Sequence, residues 1–268
     1  MILKPVRPGT TLSLTDRDAQ RPRELDDKDK LKALLADEVS ALGKLQDRLW
    51  AEKRHAVLVI LQGRDASGKD GTIKQVFDGC NPQGCRVTSF GVPTPLELSH
   101  DFLWRVHLHV PPRGIIGIFN RSHYEDVIAV RVKRLAPTRV WQARFEQINH
   151  FERMLSANGV TILKFFLHVS RDEQRERLID RLEDPEENWK FRAGDLEDRK
   201  RWGAFTTAYR DALRRCSTRW APWYVVPADS KTARNYLITR TLNRTLRRLR
   251  SRYPKASRQV LALKSSIV

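Results

Sequence analysis

The chain has 268 residues, with 50 lysines and arginines against 32 aspartates and glutamates, so its formal net charge is +18. This length fits one α/β domain with an inserted lid, and the charge indicates a polyanionic partner such as a phosphate chain or nucleic acid. The three cysteines form no CxxC pair, no segment is apolar enough to span a bilayer, and residues 1–30 lack the apolar core of a signal peptide. We therefore expect a cytoplasmic protein with no membrane partner.

The first elements of the chain are an arm and a helix. Residues 1–27 show little periodicity and predict an N-terminal arm, while residues 28–268 predict a single kinase-like domain. Leucines at helical spacing from Leu31 to Leu49 predict an amphipathic helix at the start of that domain. The apolar run Val57 to Leu61 then predicts a strand of a parallel sheet that is covered on both faces.

A glycine-rich segment follows this strand and opens a helix that continues through Thr72 to Phe77. In this context the backbone N–H groups and the positive end of the helix converge on one point, which attracts phosphate, and Lys69 adds an ammonium group there. We name residues 63–69 the phosphate loop. Its candidate phosphate-binding residues are Gly63, Arg64, Asp65, Ala66, Ser67, Gly68 and Lys69.

Two carboxylates distinguish this loop from that of an ordinary ATP-dependent kinase. Asp70 follows the lysine where Ser or Thr usually binds magnesium, and Asp65 lies within the loop itself. A carboxylate there repels phosphate unless a magnesium ion bridges the two or the carboxylate orients an attacking group. The sequence therefore predicts metal-dependent phosphoryl transfer from a donor other than ATP.

The remaining apolar segments predict the rest of the sheet. Strands are expected at residues 86–90, 114–119, 160–167 and 223–226, with a helix from Pro95 through Val106 and another from about Ser230 to Arg252. Strands that alternate with helices indicate a doubly wound parallel sheet flanked by helices, whose ligands bind at the carboxyl ends of the strands.

The polar segment 120–126 follows one of these strands and lies beside the phosphate loop if the two strands are neighbours. Arg121 is then placed to neutralise the charge of a transferring phosphoryl group. The alternative is an ordinary helix N-terminus with Ser122 as its cap, and the two interpretations are compatible.

A helical lid is predicted around residues 171–200. Arg177 and Arg181 share a helix face, residues 184–190 break the helix, and a second helix resumes after Asp195. A solvated helical hairpin is the alternative interpretation. The arginines between Arg244 and Arg252 are explained equally by a solvated helix face or by a positive track for a polyanion. The histidines show no zinc-binding spacing.

Three segments resemble the motifs of the polyphosphate kinase 2 family, within a similarity that extends from about Lys28 to Pro254. They are residues 63–71, Phe119 to Asp126, and Asp184-Pro185 with Trp189-Lys190-Phe191. The resemblance implies a P-loop nucleotide-kinase fold and reversible transfer of phosphoryl groups from inorganic polyphosphate to AMP and ADP, forming ADP and ATP. It also implies Mg²⁺ as the cofactor, with Mn²⁺ as a substitute.

The same resemblance implies roles for individual residues. Asp65 would bind metal or activate the acceptor phosphate, Lys69 would hold phosphates, and Arg121 would stabilise the transferring charge, while Arg177 and Arg181 would clamp from the lid. Further implied residues are the nucleotide- or phosphate-binding Asp70, Gly71, Lys74, Asn120, Glu125 and Lys190, and the metal ligand Asp126.

Two positions depart from the motifs of many family members. Asn120 replaces an aspartate, which removes a metal ligand and places a second magnesium position in question. Glu125 replaces an asparagine, and in this respect the chain resembles the subgroup of the family that accepts both AMP and ADP. We also expect a homo-oligomer.

Two other functions remain open from the sequence. An ATP-dependent kinase of a nucleotide or small metabolite would keep the fold, but Asp70 argues against it. A nucleic-acid-binding protein would explain the net charge, but the chain contains no recognised nucleic-acid module, and binding alone does not require a carboxylate inside a phosphate loop. We therefore expect no nucleic acid partner.

Overall fold

The computed structural model describes residues 2–263 and residue 267. Its centre is a parallel five-stranded sheet with the strand order β2-β3-β1-β4-β5. The doubly wound parallel sheet is therefore confirmed. The strands are β1 Ala56–Gly63, β2 Cys85–Ser89, β3 Ile116–Asn120, β4 Val160–His168 and β5 Trp223–Pro227.

Helices cover both faces of the sheet. Side chains along the central strand β1 point alternately to the two faces, and each face carries its own apolar cluster. Leu58 and Ile60 pack on one face with Phe145 and Tyr209, whereas Val57 and the alternate apolar residues that follow it in β1 pack on the other. The helices are α1 Lys28–Glu52, α2 Lys69–Val76, α3 Pro95–Leu98, α4 Trp104–His107, α5 Ala129–Val132, α6 Thr138–Ala157, α7 Arg171–Glu183, α8 Ala193–Lys200, α9 Trp202–Cys216, α10 Lys231–Leu249 and α11 Arg258–Ala262.

The prediction of a continuous helix from Pro95 through Val106 is wrong. The structure has two single turns there, α3 and α4, separated by five residues. Polar side chains between them bond to nearby backbone groups: the Ser99 hydroxyl donates to the carbonyl of Leu96 at 2.7 Å, and Asp101 accepts from the N–H of Leu103 at 2.9 Å. Such local bonds compete with helix continuation.

The N-terminal arm, residues 2–27, lies along the edge strand β5. The N–H of Val6 donates to the carbonyl of Trp223 at 2.8 Å, and the N–H of Asp229 donates to that of Ala19 at 3.1 Å. Leu3, Val6 and Leu25 are buried against the domain. The arm therefore covers a sheet edge that would otherwise be exposed. Within the described part of the chain, no helix combines the length and the apolar character needed to cross a membrane.

Candidate active site

The phosphate loop joins the carboxyl end of β1 to the first turn of α2. Gly68 has φ +91°, and a Cβ on it would lie 2.0 Å from Nη1 of Arg234, so only glycine fits without displacing that side chain. A Cβ on Gly63 would lie 2.8 Å from the carbonyl oxygen of Leu167, in the neighbouring strand β4. The tight packing of both glycines therefore fixes the path of the loop.

Lys69 folds back over the loop. Its Nζ donates to the carbonyls of Gly63 at 2.9 Å and Arg64 at 3.1 Å. Burial lowers the pKa of Lys69 to about 8, with the charge of Arg121 acting in the same direction and that of Asp65 opposing it. The surroundings of the Lys69 ammonium group therefore disfavour its charged form. An anion bound at the loop would stabilise that charged form and raise the pKa again.

Asp65 and Arg121 meet at the mouth of the loop. Strands β1 and β3 are neighbours, with Leu61 opposite Asn120, so the expectation that segment 120–126 lies beside the loop is confirmed. Nη2 of Arg121 contacts Oδ1 of Asp65 at 2.5 Å. Arg121 has φ +63°, a costly conformation for a residue with a side chain, and such strain clusters at functional sites.

The charge of Arg121 is held by two carboxylates. Burial opposes it, but the nearby charges of Glu125 and Asp65 outweigh that effect, and the pKa of Arg121 is raised. Arg121 thus stays cationic beside the loop, which is the state needed to stabilise phosphate charge.

A small cavity lies between the phosphate loop and the lid. It encloses about 40 Å³, and both Asp65 and Glu125 line it. The predicted residues Gly63, Arg64 and Arg121 line it as well. Sequence reasoning missed the other wall residues, because they come from separate helical segments. The missed residues are Ala129, Lys133, Gln174, Asp198, Phe205 and Tyr209.

Helical spacing could have suggested some of these residues. Gln174 precedes Arg177 by one turn, and its Nε2 donates to the carbonyl of Asp65 at 3.0 Å. Phe205 and Tyr209 lie at i and i+4 on α9. Lys133, the C-cap of α5, and Asp198 of α8 form an ion pair of 2.8 Å, which joins the lid to the body of the domain at the cavity.

Arg64 is the most unusual cation in the cavity wall. Its guanidinium lies 3.9 Å from the ring centre of Trp202, and its Nη2 donates to the Thr206 hydroxyl at 2.5 Å. Its Nε and Nη1 are buried and have no hydrogen-bond partner among the described residues. Burial lowers the pKa of Arg64 to about 10. Unsatisfied buried donors are costly, so Arg64 presents two donors that an anionic ligand would satisfy.

Arg177 does not face the cavity as a clamp. Its Nη1 donates to the carbonyl of Ala66 at 3.0 Å, and its Nη2 donates to those of Ala228 and Asp229 at 2.6 and 2.9 Å. Its Nε pairs with Glu173 at 2.7 Å. The sequence suggested a phosphate clamp, but these contacts commit the guanidinium to holding the loop backbone.

Arg181 and Lys190 lie on the lid. Nη1 of Arg181 is 3.9 Å from Oδ2 of Asp195, and Nζ of Lys190 is 2.6 Å from Oε1 of Glu187. The exposed Trp189 ring lies beside the Lys190 ammonium. In this arrangement the lid cations pair with lid carboxylates.

The other predicted residues lie on α2 and β3. Asp70 accepts a hydrogen bond of 2.6 Å from the Asn120 amide. The two positions at which this chain departs from the usual motifs therefore bond to each other. Gly71 and Lys74 are exposed on α2. Ala66 and Ser67 are buried in the loop, where Ala66 has φ +59°.

Arg234 of α10 supports the loop from beneath and was missed from the sequence. It is 2% exposed, and its Nη1 donates to the carbonyl of Ser67 at 3.3 Å. Burial lowers its pKa to about 9, and the charge of Arg177 adds to that effect. Two buried arginines, Arg177 and Arg234, therefore hold carbonyls of the phosphate loop.

A buried ionic cluster fixes the segment that carries Arg121 and Glu125. Ser122 caps a short 3-10 turn, so the cap and the site coexist as the sequence allowed. His123 and Tyr124 turn inwards and contact Oε1 of Glu152 at 3.2 and 2.9 Å. Glu152 in turn pairs with Nζ of Lys164 at 2.5 Å.

Asp126 is not among the residues that line the cavity. Its Oδ1 contacts Nη1 of Arg144 at 2.9 Å. Burial raises the pKa of Asp126 to about 6, against the charges of Arg144 and Arg105. The structure thus does not bring Asp126 together with Asp65, and the prediction of a shared metal site does not match this placement.

The donors that line the cavity fit a magnesium ion. No cluster of three or more His, Cys, Asp or Glu side chains suited to a metal occurs among residues 2–263 and 267. Mg²⁺ usually binds through one or two carboxylates together with substrate phosphates and water, rather than in a cage of protein ligands. Asp65 and Glu125, both in the cavity wall, supply that number of carboxylates.

Comparisons with known proteins agree with this geometry. Residues 25–254 match the family model described as Polyphosphate kinase 2 (PPK2). A Meiothermus ruber protein named AMP/ADP-polyphosphate phosphotransferase is 59% identical over 214 residues, which cover 80% of each chain. A Rhodopseudomonas palustris protein named ADP-polyphosphate phosphotransferase is 45% identical over 236 residues, covering 84% of this chain and 82% of the relative.

Solved structures give the same result. The crystal structure of polyphosphate kinase 2 from Arthrobacter aurescens TC1 superposes with a TM-score of 0.91 and 37% sequence identity. The match covers 99% of this chain and 98% of that one.

Proposed function

The chain belongs to the polyphosphate kinase 2 family, and from that premise we propose that it transfers phosphoryl groups from inorganic polyphosphate to AMP and ADP. The contact between Asp65 and Arg121 at the mouth of the phosphate loop carries this proposal. A carboxylate and a guanidinium there serve transfer between two phosphate groups, whereas simple phosphate binding requires only the cation. The names of the relatives from M. ruber and R. palustris support polyphosphate as the donor, and the first supports both acceptors.

The reaction is an in-line displacement without a covalent enzyme intermediate. An oxygen of the acceptor phosphate forms a bond to the terminal phosphorus of the chain, while the bridging bond to the next phosphate breaks. The polyphosphate leaves with one phosphate fewer. An AMP acceptor becomes ADP, and an ADP acceptor becomes ATP. One phosphoanhydride is made as another breaks, so the reaction is reversible.

The residues of the cavity divide this work between them. The free donors of Arg64 bind phosphate oxygens, and Lys69 exchanges its loop carbonyls for phosphate oxygens. Arg121 stabilises the charge on the transferring group, and Asp65 orients the acceptor. Arg177 and Arg234 act as positioning residues that hold the loop.

Asp65 and Glu125 would hold the Mg²⁺ ion, or Mn²⁺ in its place. When bound, this ion would supply positive charge that offsets the repulsion between the anionic donor and the anionic acceptor. Asp65 contacts Arg121 in this structure, and use of Asp65 as a metal ligand would leave the Arg121 guanidinium available to the transferring group.

The lid must move for substrates to enter. A cavity of about 40 Å³ holds only a few water molecules. The Lys133–Asp198 pair is a contact that opening of α8 would break. Closure over bound substrates would exclude water, which would otherwise compete as the acceptor.

The test uses polyphosphate as the sole donor. Purified protein is incubated with AMP, magnesium and polyphosphate without ATP, and nucleotides are separated by ion exchange. We expect ADP and then ATP, and no product would refute the proposal. Arg121→Met protein, purified in parallel, shows whether contaminating kinases make the product, and ATP as donor to a labelled acceptor tests the ATP-dependent alternative.

A further inference from the structure

A second cavity, far larger than the first, lies at the other end of α10. It has a volume of about 560 Å³ and is lined by the N-terminal arm, α1 and the last turns of α10. We name it the arginine cavity. Its lining residues are Ile2, Glu38, Arg240, Arg244, Arg247, Arg248 and Arg250.

The positive charge of the arginine cavity is not balanced by the protein. Its one carboxylate, Glu38, already pairs with Arg240 at 3.2 Å and accepts a hydrogen bond of 2.6 Å from the Asn243 amide. Within residues 2–263, no carboxylate forms an ion pair with Arg244, Arg247, Arg248 or Arg250. All four of these side chains are exposed. The cavity is therefore an uncompensated cationic concavity.

This arrangement weakens the helix that carries it. Arg240, Arg244 and Arg248 follow one another at i, i+4 and i+8, and like charges at that spacing repel. Burial raises the pKa of the Tyr224 phenol, and the positive charges of Arg248 and Arg244 lie near enough to act in the opposite direction. A cluster that repels itself, and in which four arginines form no ion pair within residues 2–263, points to an anionic ligand.

The shape of the cluster indicates an elongated ligand with repeated charge. Arg240 and Arg250 are ten residues apart, so the cations extend over about 15 Å along the helix axis at 1.5 Å per residue. Each guanidinium group can bind two phosphate oxygens at once. A row of such groups therefore suits a chain of phosphates better than a single small anion.

The same helix also begins at the active site. Arg234 touches the phosphate loop and precedes Arg244 by ten residues, so the two sites are separated by about 15 Å along α10. A long polyphosphate chain whose end lies in the phosphate loop can therefore reach the arginine cavity, whereas a chain of a few phosphates cannot occupy both.

We propose that the arginine cavity is a second, non-catalytic binding site for linear polyphosphate, an inference that rests on the proposed function. A long chain bound there has a high effective concentration at the phosphate loop. The enzyme then selects long donors through affinity, and the chemical step is unchanged.

The test compares two triple variants that lose the same charge. Arg244→Gln/Arg247→Gln/Arg248→Gln removes the centre of the cluster. Arg54→Gln/Arg113→Gln/Arg153→Gln removes three exposed arginines that do not line the cavity. Equilibrium binding of labelled long-chain polyphosphate is measured first, without nucleotide, at several salt concentrations, and melting temperatures verify folding.

For the cluster variant, we expect the dissociation constant for the long chain to rise about tenfold or more, and its salt slope to fall by about two to three. In turnover, KM for long-chain polyphosphate rises, while KM for tetraphosphate, KM for the nucleotide and kcat stay unchanged. The control variant shows no such selectivity. Equal effects of both variants, or equal effects on long and short donors, would overturn the inference.

Three further arms separate the remaining possibilities. A rise in the nucleotide KM alone would make the ligand a nucleotide phosphate chain and overturn the proposal. Loss of duplex DNA affinity with unchanged polyphosphate affinity would assign the cavity to nucleic acid and would also overturn it. If wild-type protein binds long chains through the cluster but never transfers phosphate, the proposed function fails while the binding site stands.

Discussion

The buried pair between Glu152 and Lys164 provides a quantitative test of how the site is held. Both side chains are fully buried, and their charged atoms lie 2.5 Å apart. Lys164 uses all three of its donors, on Glu152, on the Tyr124 hydroxyl at 2.7 Å and on the carbonyl of Cys216 at 2.7 Å. Burial opposes ionisation of Glu152, but the charge of Lys164 and a hydrogen bond from His123 lower its pKa, so the pair is ionic.

Removing one partner should cost much more than removing both charges. Lys164→Met leaves the Glu152 carboxylate buried without its cation, and such a change lowers the free energy of unfolding by about 3–5 kcal/mol. For a chain of this size, that loss corresponds to a fall in melting temperature of about 6–20 °C. Adding Glu152→Gln removes the stranded charge and keeps polar contacts to His123 and Tyr124, so the double variant should lose only about 1–3 kcal/mol.

The assay is urea unfolding followed by tryptophan fluorescence, with Glu152→Gln alone completing a double-mutant cycle. In the wild type the lowered pKa of Glu152 contributes stability that is present above its unfolded pKa and lost as pH falls. In Lys164→Met the pKa of the unpaired carboxyl is raised, so the deficit should shrink as pH falls from about 8 to about 5. Two results would refute this reasoning: a double variant that is no more stable than Lys164→Met, or a loss of unfolding free energy in Lys164→Met that does not change with pH.

Three further predictions concern the cavity itself. Because burial lowers the pKa of Lys69 to about 8 and the charged form binds phosphate, kcat/KM for polyphosphate should fall as pH rises through that value; a flat profile from about pH 7 to 9.5 would contradict this. Asp65→Asn should raise the magnesium concentration for half-maximal rate by about tenfold or more, whereas Asp126→Asn, the matched control, should not change it; an equal effect of the two would return Asp126 to the metal site. Glu125→Asn should change the ratio of activities on AMP and ADP, and an unchanged ratio would exclude Glu125 as the residue that broadens acceptor choice.

Local sequence patterns predicted the sheet and the phosphate loop because both depend on contiguous residues. Apolar runs identified the buried strands, and a glycine-rich turn between a strand and a helix identified the loop. Helix α6 was missed, although Phe145, Ile148, Phe151 and Leu155 recur on its buried face and would have revealed it. The continuous helix after Pro95 was wrong because Ser99 and Asp101 bond locally in ways that periodicity does not register.

The roles of individual arginines could not be read from the sequence. Arg177 and Arg181 share a helix face, yet tertiary packing directs Arg177 to the carbonyls of the phosphate loop and leaves Arg181 near Asp195. Arg234 lies in a helix rich in exposed arginines, and nothing in the local pattern marks it as buried beneath the loop. The carbonyls that hold Arg177 and Arg234 lie more than fifty positions away along the chain, and a helical pattern does not encode such contacts.

The most direct measurement is the rate of phosphoryl transfer from polyphosphate to ADP by Arg121→Met protein, relative to the wild type, at saturating magnesium. The Arg121 side chain is 41% exposed, so the melting temperature should stay near that of the wild type. Loss of a cation that stabilises transferring charge predicts a fall in kcat of about a thousandfold or more. A folded variant that keeps kcat within about tenfold of the wild type would contradict the assignment of this site.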